Sequence, residues 1–548
     1  MATATIGGYL IRRLSEAGVR HVFGIPGDYV LGFYEQLDRS ELELINCADE
    51  QGAGYAADAY ARINGIGAVC VTYGVGGLKV VNTTAQAFAE RSPVVVVSGG
   101  PGIGERERDA LLHHKIRSFE SQRLILGEVT CASAIIDDPG RAQLEIDRVI
   151  GACRRHSQPV YLELPRDLVD APFELQPREE PSRRRDQAEI AEALAETTAL
   201  VAAAERPVIL AGEELARFRL SGQLVALLER SRIPVATTTL SKSVIDETHP
   251  QYLGVYEGAL GHETTRRYVE GSDCLLILGA NLSDVTLGIN TAHLYPAVTI
   301  RAHAAQTWVH RHLYPDVTLA DFMEGLVGVV PVCENVVVEN PPRPGRWTPV
   351  ADAPVTIDRL FGCLNAFIDE STTVVADVGD ALFAAIDLVV EAWEFIAPAY
   401  YLSLGFAIPG AIGVQLANPR TRPLVIVGDG AFQMTGMELT TAVRYGLDPI
   451  VILLDNAGYG TERPMLDGPF NDIVPWRYEQ LPDILGAGHG FDVRTEGDLD
   501  VALTAARTER GAFSLLRVHL DPDDMSPALR RLTALIAERV RARSARAG

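Results

Sequence analysis

Two short apolar runs, each stopping at an oxygen-bearing side chain among glycines, carry the strongest chemical signal in the chain. Pro423–Gly430 reads PLVIVGDG and ends at Asp429; Pro449–Gly458 reads PIVILLDNAG and ends at Asn456. β-Branched runs that break off at glycine read as buried parallel strands meeting a loop. The apolar spacing from Phe432 to Tyr445 predicts a helix capped by Gly446, completing one strand–helix–strand unit. In such a unit both strands point the same way, so Asp429 and Asn456 emerge at one edge of the sheet, where open α/β folds bind ligands. A carboxylate, an amide oxygen and the Gly458 carbonyl are hard donors suited to Mg²⁺ held partly through phosphates. GDG alone equally describes an ordinary strand-end turn; an Asn 27 positions after Asp429, at a second strand end, favours the metal–diphosphate reading.

Other candidate groups sit at strand ends nearer the N-terminus. A helix over Ile6–Gly18 and a strand over Val19–Phe23 lead into the turn Gly24–Asp28, which leaves the Asp28 carboxylate at a strand edge; an Asx turn accounts for it as well. Strand Leu42–Cys47 gives way to helix Gly52–Arg62 near Glu50, a carboxylate that the helix dipole favours. The small residues of Gly52–Asp58 permit close approach by a cofactor ring or a partner subunit. Strand Ala68–Tyr73, the turn Gly74–Gly77, helix Leu78–Glu90 and strand Val94–Ser98 describe a parallel α/β sheet. That glycine turn is not a dinucleotide fingerprint, since Lys79 stands where its last glycine would be.

His113 and His114 are adjacent, a spacing poorly suited to a shared metal, but histidine is the side chain best able to exchange protons near neutral pH. Glu462 lies four residues beyond Gly458. It is an acid or base if partly buried, a partner of Arg463, or a solvated carboxylate.

A chain of 548 residues needs more than one core, and three α/β domains are expected: 1–175, 188–335 and 355–548. The boundaries rest on a charged stretch, Gln176–Gln187, and a proline-rich one, Glu339–Arg346; an amphipathic helix is expected over Ser526–Arg543. With 49 basic and 72 acidic side chains the net charge is −23, which argues against nucleic acid or an anionic membrane as partner. No apolar run reaches the roughly 20 residues of a membrane span, and the N-terminus has no signal-peptide order, so a cytoplasmic protein is expected. Seven scattered cysteines without CxxC spacing read as reduced core thiols.

Asp28, Glu50, His113–His114, the GDG…N motif and the run Asn456–Glu462 together resemble the thiamine diphosphate (ThDP)-dependent 2-oxo acid decarboxylases, over essentially the whole chain. The likeness is greatest to the indolepyruvate, phenylpyruvate and branched-chain 2-oxo acid enzymes, although Asp455 stands where that motif has Asn. The resemblance implies pyrimidine-binding, middle and diphosphate-binding domains, with Asp429, Asn456 and Gly458 holding Mg²⁺. It implies that Glu50 activates the cofactor ring for ylide and enamine chemistry, and that Asp28, His113, His114 and Glu462 line the reacting centre. The cofactor would also touch Thr72, Leu402, Leu404, Gly428, Gly430, Ala431 and Tyr459, with Leu404 propping its bent form. Val378, Leu382, Phe383 and Thr461 are expected in the substrate pocket, Leu382 at the position that is bulky and aromatic in pyruvate-selective relatives. Aromatic, branched or longer aliphatic 2-oxo acids are the expected substrates. The family builds its sites between chains, so a homodimer or homotetramer is implied. A carboligase and a non-catalytic ThDP-binding scaffold are the rival readings.

Overall fold

The computed structural model describes residues 3–177, 185–334, 338 and 345–533. The expected linker residues 178–184 and 339–344, and the terminal helix beyond residue 533, lie outside them. Three sheets organise the chain. The first runs, edge to edge, Glu43–Asn46, His21–Gly24, Gly67–Val71, Val94–Gly100, Val160–Pro165 and Ala132–Ile135, all parallel. The third runs Phe395–Ile396, Thr372–Ala376, Arg422–Gly428, Ile450–Asp455, Ser514–His519 and His489–Val493, again all parallel. Numbered within each domain, both follow the order 2-1-3-4-6-5, an architectural repeat that the residues themselves do not display.

That order puts a topological switch between strands 1 and 3, where a crevice opens at the carboxyl edge. In the first domain the loops at the switch carry Asp28 and Thr72, and in the third they carry Val378 and Asp429. The central strands are apolar on both faces because helices cover both.

The middle sheet has seven strands. Five are parallel, and the pair Thr307–Val309 and His312–Tyr314 adds an antiparallel edge too short to show a period-two pattern. After the strand Cys274–Leu278, Asn281 N donates to Glu213 Oε2 at 3.1 Å.

The helix expected over Phe432–Tyr445 is broken. Helix Asp429–Thr435 gives way at Gly436, a weak helix former, to a 3₁₀ turn at Gly436–Glu438, and helix Leu439–Arg444 follows. Gly446 does adopt a left-handed conformation, φ 62°.

The first and third domains are locked together by helices Glu50–Asn64 and Ala407–Ala417. Gly413 lies so close to the partner helix that a Cβ there would meet the Ala56 carbonyl oxygen at 2.1 Å. Beside this crossing, buried Arg62 bonds Asp58 at 2.8–2.9 Å, Glu90 at 2.8 Å and the Ala397 carbonyl at 3.0 Å. Glu90 in turn accepts from the Tyr400 and Tyr401 amides. Charges so deep persist only when fully paired.

Candidate active site

The predicted residues gather into two clusters. One stands at the carboxyl edge of the first sheet. His113 Nε2 and Asp28 Oδ2 are 2.8 Å apart, so the Asp28 carboxylate is committed to the histidine rather than to an Asx turn. His114 takes a left-handed backbone, φ 66°, which turns its ring to within 4.7 Å of the His113 ring. One donor atom from each of Asp28, His113 and His114 then falls within 4.8 Å of the others, a convergence that adjacency argued against. Gly74 makes room: a Cβ there would sit 2.6 Å from the His114 carbonyl oxygen.

Glu50 opens helix Glu50–Asn64, whose N-cap Asp49 accepts from Gln51 N at 2.7 Å. Its Oε2 lies 3.4 Å from Lys79 Nζ. Lys79, noted only as a mismatch to a dinucleotide motif, thus pairs with Asp49 and Glu50. Thr72 and Glu50 both converge on Gly76.

The second cluster lines a cavity of about 370 Å³ between the third and middle domains. Asp429 is buried, and its two oxygens accept from the amides of Gly430 (2.7 Å) and Gly458 (3.2 Å). Burial, with Asp455 near by, pushes its carboxyl up to about 7. Leu402, Leu404, Gly428, Gly430, Ala431, Asn456, Gly458 and Tyr459 line the same cavity, as do Val378, Phe383, Thr461 and Glu462. Arg463 is taken by Asp467 and Asp472, leaving Glu462 to the cavity. The Tyr459 ring covers Gly430, where a Cβ would lie 2.7 Å from it.

Leu382 departs from expectation. It is fully buried in the core under the third sheet, and Ala381 lines the cavity in its place. The short helix Asp380–Ala385 turns residue 382 inward. Sequence reasoning also missed Val285 and Ile289 from the middle domain and Leu529 and Leu532 from the terminal helix. These approach from distant segments and share no spacing that could have flagged them.

Two observations test whether the clusters suit a magnesium-bound diphosphate and an activated ring. Thr72 Oγ1 is buried with no hydrogen-bond partner, which a ligand would supply. Asp429, Asn456 and Gly458, which line one cavity, offer a carboxylate, an amide oxygen and a carbonyl, the hard oxygen donors that Mg²⁺ takes. The residues fit.

Comparison with known proteins bears on the whole chain. Residues 4–120, 194–324 and 372–518 match, in turn, the N-terminal TPP binding, central and C-terminal TPP binding domains of the thiamine pyrophosphate enzymes. The indole-3-pyruvate decarboxylase of Azospirillum brasilense is 37% identical over 530 residues, 95% of this chain and 96% of that protein. The chain belongs to the ThDP-dependent 2-oxo acid decarboxylases. Alpha-keto-acid decarboxylases of Mycobacterium avium (strain 104) and Mycobacterium tuberculosis (strain ATCC 25618 / H37Rv) are 32% and 33% identical, each match covering 94% of both chains. In this decarboxylase the departure at Asp455 has a local counterpart: Arg517 Nε holds its carboxylate at 2.6 Å. Among the described residues of the decarboxylase no helix is long and apolar enough to cross a membrane.

Proposed function

We propose that this decarboxylase acts on 2-oxo acids with aromatic, branched or longer aliphatic side chains, at Mg²⁺–ThDP sites shared between two copies of the chain. The observation that carries the shared site is a separation: Asp28, Glu50, Thr72, His113 and His114 are all missing from the lining of the Asp429 cavity. On this reading one chain presents two half-sites. Exposed apolar side chains flank both, Leu111 (93%) and Val75 (56%) beside the first, Met434 (51%) beside the second. Such surface suits burial against a second copy, and a homodimer is the smallest closed arrangement.

Asp429, Asn456 and the Gly458 carbonyl would hold Mg²⁺ and, through it, the diphosphate. When bound, ThDP supplies the electron sink that loss of CO₂ requires. Glu50 would bind the ring and keep a proton at its nitrogen. Thr72 Oγ1 would gain the partner it lacks, and Leu404 would brace the cofactor from the cavity wall. The Asp28–His113 pair, His114 and Glu462 would orient the substrate carboxylate, exclude water and deliver the proton that completes the aldehyde. Val285, Ile289, Ala381, Phe383 and Leu532 give the cavity an apolar wall, with Ala381 leaving space for a ring or a branched chain. The similarity to an indole-3-pyruvate decarboxylase supports the same preference.

Two experiments test this reading. A panel of 2-oxo acids with CO₂ detection should give higher kcat/KM for phenylpyruvate, indolepyruvate and branched acids than for pyruvate; a preference for pyruvate would refute the pocket assignment. Mixing Glu50→Gln chains with Asp429→Ala chains, each only residually active alone, should restore up to about a quarter of wild-type activity, because half the random dimers carry one intact site. No recovery from exchanging dimers would show that each chain builds its site alone.

A further inference from the structure

Glu438 belongs to the third domain, yet its side chain is spent on the first. It is buried, its Oε1 accepts from Asp49 N at 2.9 Å, and its Oε2 accepts from Ala48 N at 3.2 Å and from Thr441 Oγ1 at 2.8 Å. Ala48 and Asp49 immediately precede Glu50, at a helix start where backbone N–H groups have no partner within the helix. Two carboxylates thus organise this helix start: Asp49 from within, through Gln51 N, and Glu438 from another domain.

Gly52 records the same contact from the other side. A Cβ at that position would lie 2.1 Å from Glu438 Oε1 and 2.6 Å from its Cγ. Glycine is a weak helix former, and here it gives the carboxylate its space. Among the described residues Glu50 itself has a single ion-pair contact, with Lys79 at 3.4 Å, so the direction of its side chain depends on where the backbone of residues 48–50 is held.

We infer that Glu438 is a positioning residue for the reaction, clamping the backbone that carries Glu50 and so fixing where the Glu50 carboxylate meets the cofactor ring. The inference rests on the proposed role of Glu50. Residue 438 is reached through the 3₁₀ turn after Gly436, and an uninterrupted helix would have aimed it elsewhere. A buried carboxylate facing two amides and a hydroxyl has the donor set of a capping group at a helix N-terminus.

The test uses the full-length holoenzyme and a double-mutant cycle. Glu438→Gln keeps the size of the side chain but turns one acceptor into a donor facing an N–H. It should lower kcat about ten- to a hundredfold, the scale of a misplaced catalytic group, while KM moves less than about twofold. In a Glu50→Gln background the same change should lower kcat no further, because two residues acting through one function are not additive. Amide exchange on the cofactor-free chain gives a second readout: Ala48 and Asp49 should exchange at least about tenfold faster in Glu438→Gln. Thr441→Val removes one of the three donors and should show the same pattern more weakly, which carries the test if Glu438→Gln does not fold. An equal loss in both backgrounds, or unchanged amide exchange, overturns the inference. With Glu50→Gln turning over very slowly, wild-type turnover by folded Glu438→Gln overturns it alone; wild-type turnover by Glu50→Gln overturns the role of Glu50 and this inference together.

Discussion

Ala381 and Leu382 are buried neighbours in one core that differ at the cavity: Ala381 forms part of its lining, whereas Leu382 does not. Enlarging the first should therefore change selectivity, and trimming the second should change stability. Ala381→Trp is expected to raise the kcat/KM ratio of pyruvate to phenylpyruvate. Leu382→Ala should leave that ratio where it is and lose about 2–5 kcal/mol of stability. Parallel kinetic and denaturation measurements separate the two, and a selectivity shift in folded Leu382→Ala would reverse the assignment.

The unpartnered Thr72 hydroxyl should affect the free and loaded protein in opposite senses. Thr72→Val removes a buried polar group that has nothing to bond, so thermal unfolding of the cofactor-free protein should rise slightly. ThDP binding should weaken by about 1 kcal/mol, the usual net value of one hydrogen bond. Equal or tighter ThDP binding by titration would exclude Thr72 from the cofactor site.

Asp429 carries the metal half of the proposal. Asp429→Ala should fold, because the pocket loses a buried carboxylate rather than a packed side chain, but should release ThDP on dialysis whether or not Mg²⁺ is present. Thiamine fluorescence of the retained fraction reads this directly; Mg²⁺-dependent retention at the wild-type level would remove Asp429 from the ligand set.

Asp28 and His113 form one hydrogen-bonded unit and should fail as one. Asp28→Asn and His113→Gln are each expected to reduce kcat by about 10²–10⁴, and the double variant by little more than the worse single one. Multiplying effects would mean that the two groups work separately.

Asp377 should leave a mark on the pH dependence of folding. It is fully buried, accepts from the amides of Val378, Gly405 and Ala407 at 2.8–3.0 Å, and so pins the loop bearing Leu404 to the cavity. Burial nevertheless raises its carboxyl to about 6. Between about pH 4, where an unfolded Asp ionises, and about 6 the folded chain keeps a proton that the unfolded chain has lost. The stability contributed by this group is full below that window and declines as pH rises through it. Unfolding midpoints at pH 3.5 to 6.5, taken as about half a unit outside those limits, should fall less with pH in Asp377→Asn than in the wild type.

Much of the site was legible because its groups stand at strand ends, where an apolar run stopping at glycine and a carboxylate announces both the element and the chemistry. Asp28 and Asp429 are of this kind, while Glu50 and Asn456 follow strand ends without that break. The convergence of His113 and His114 was not legible, because it depends on a left-handed backbone at His114 that no neighbouring glycine signals. Leu382 misled because a six-residue helix is too short for periodicity to say which side faces inward. Val285, Ile289 and Leu532 reach the cavity only through tertiary packing, and Glu438 looked like one more polar position in a helix that is in fact interrupted.

Helix Ala407–Ala417 is apolar around nearly its whole circumference because it lies between the third sheet and helix Glu50–Asn64. A minimal cofactor-binding fragment therefore cannot be cut cleanly from the C-terminal part of this chain. Expressed alone, it would present that helix to water as a greasy, glycine-notched ridge prone to precipitation. Anyone wishing to transplant the diphosphate site into another scaffold must bring the N-terminal portion along or repaint the ridge with polar residues.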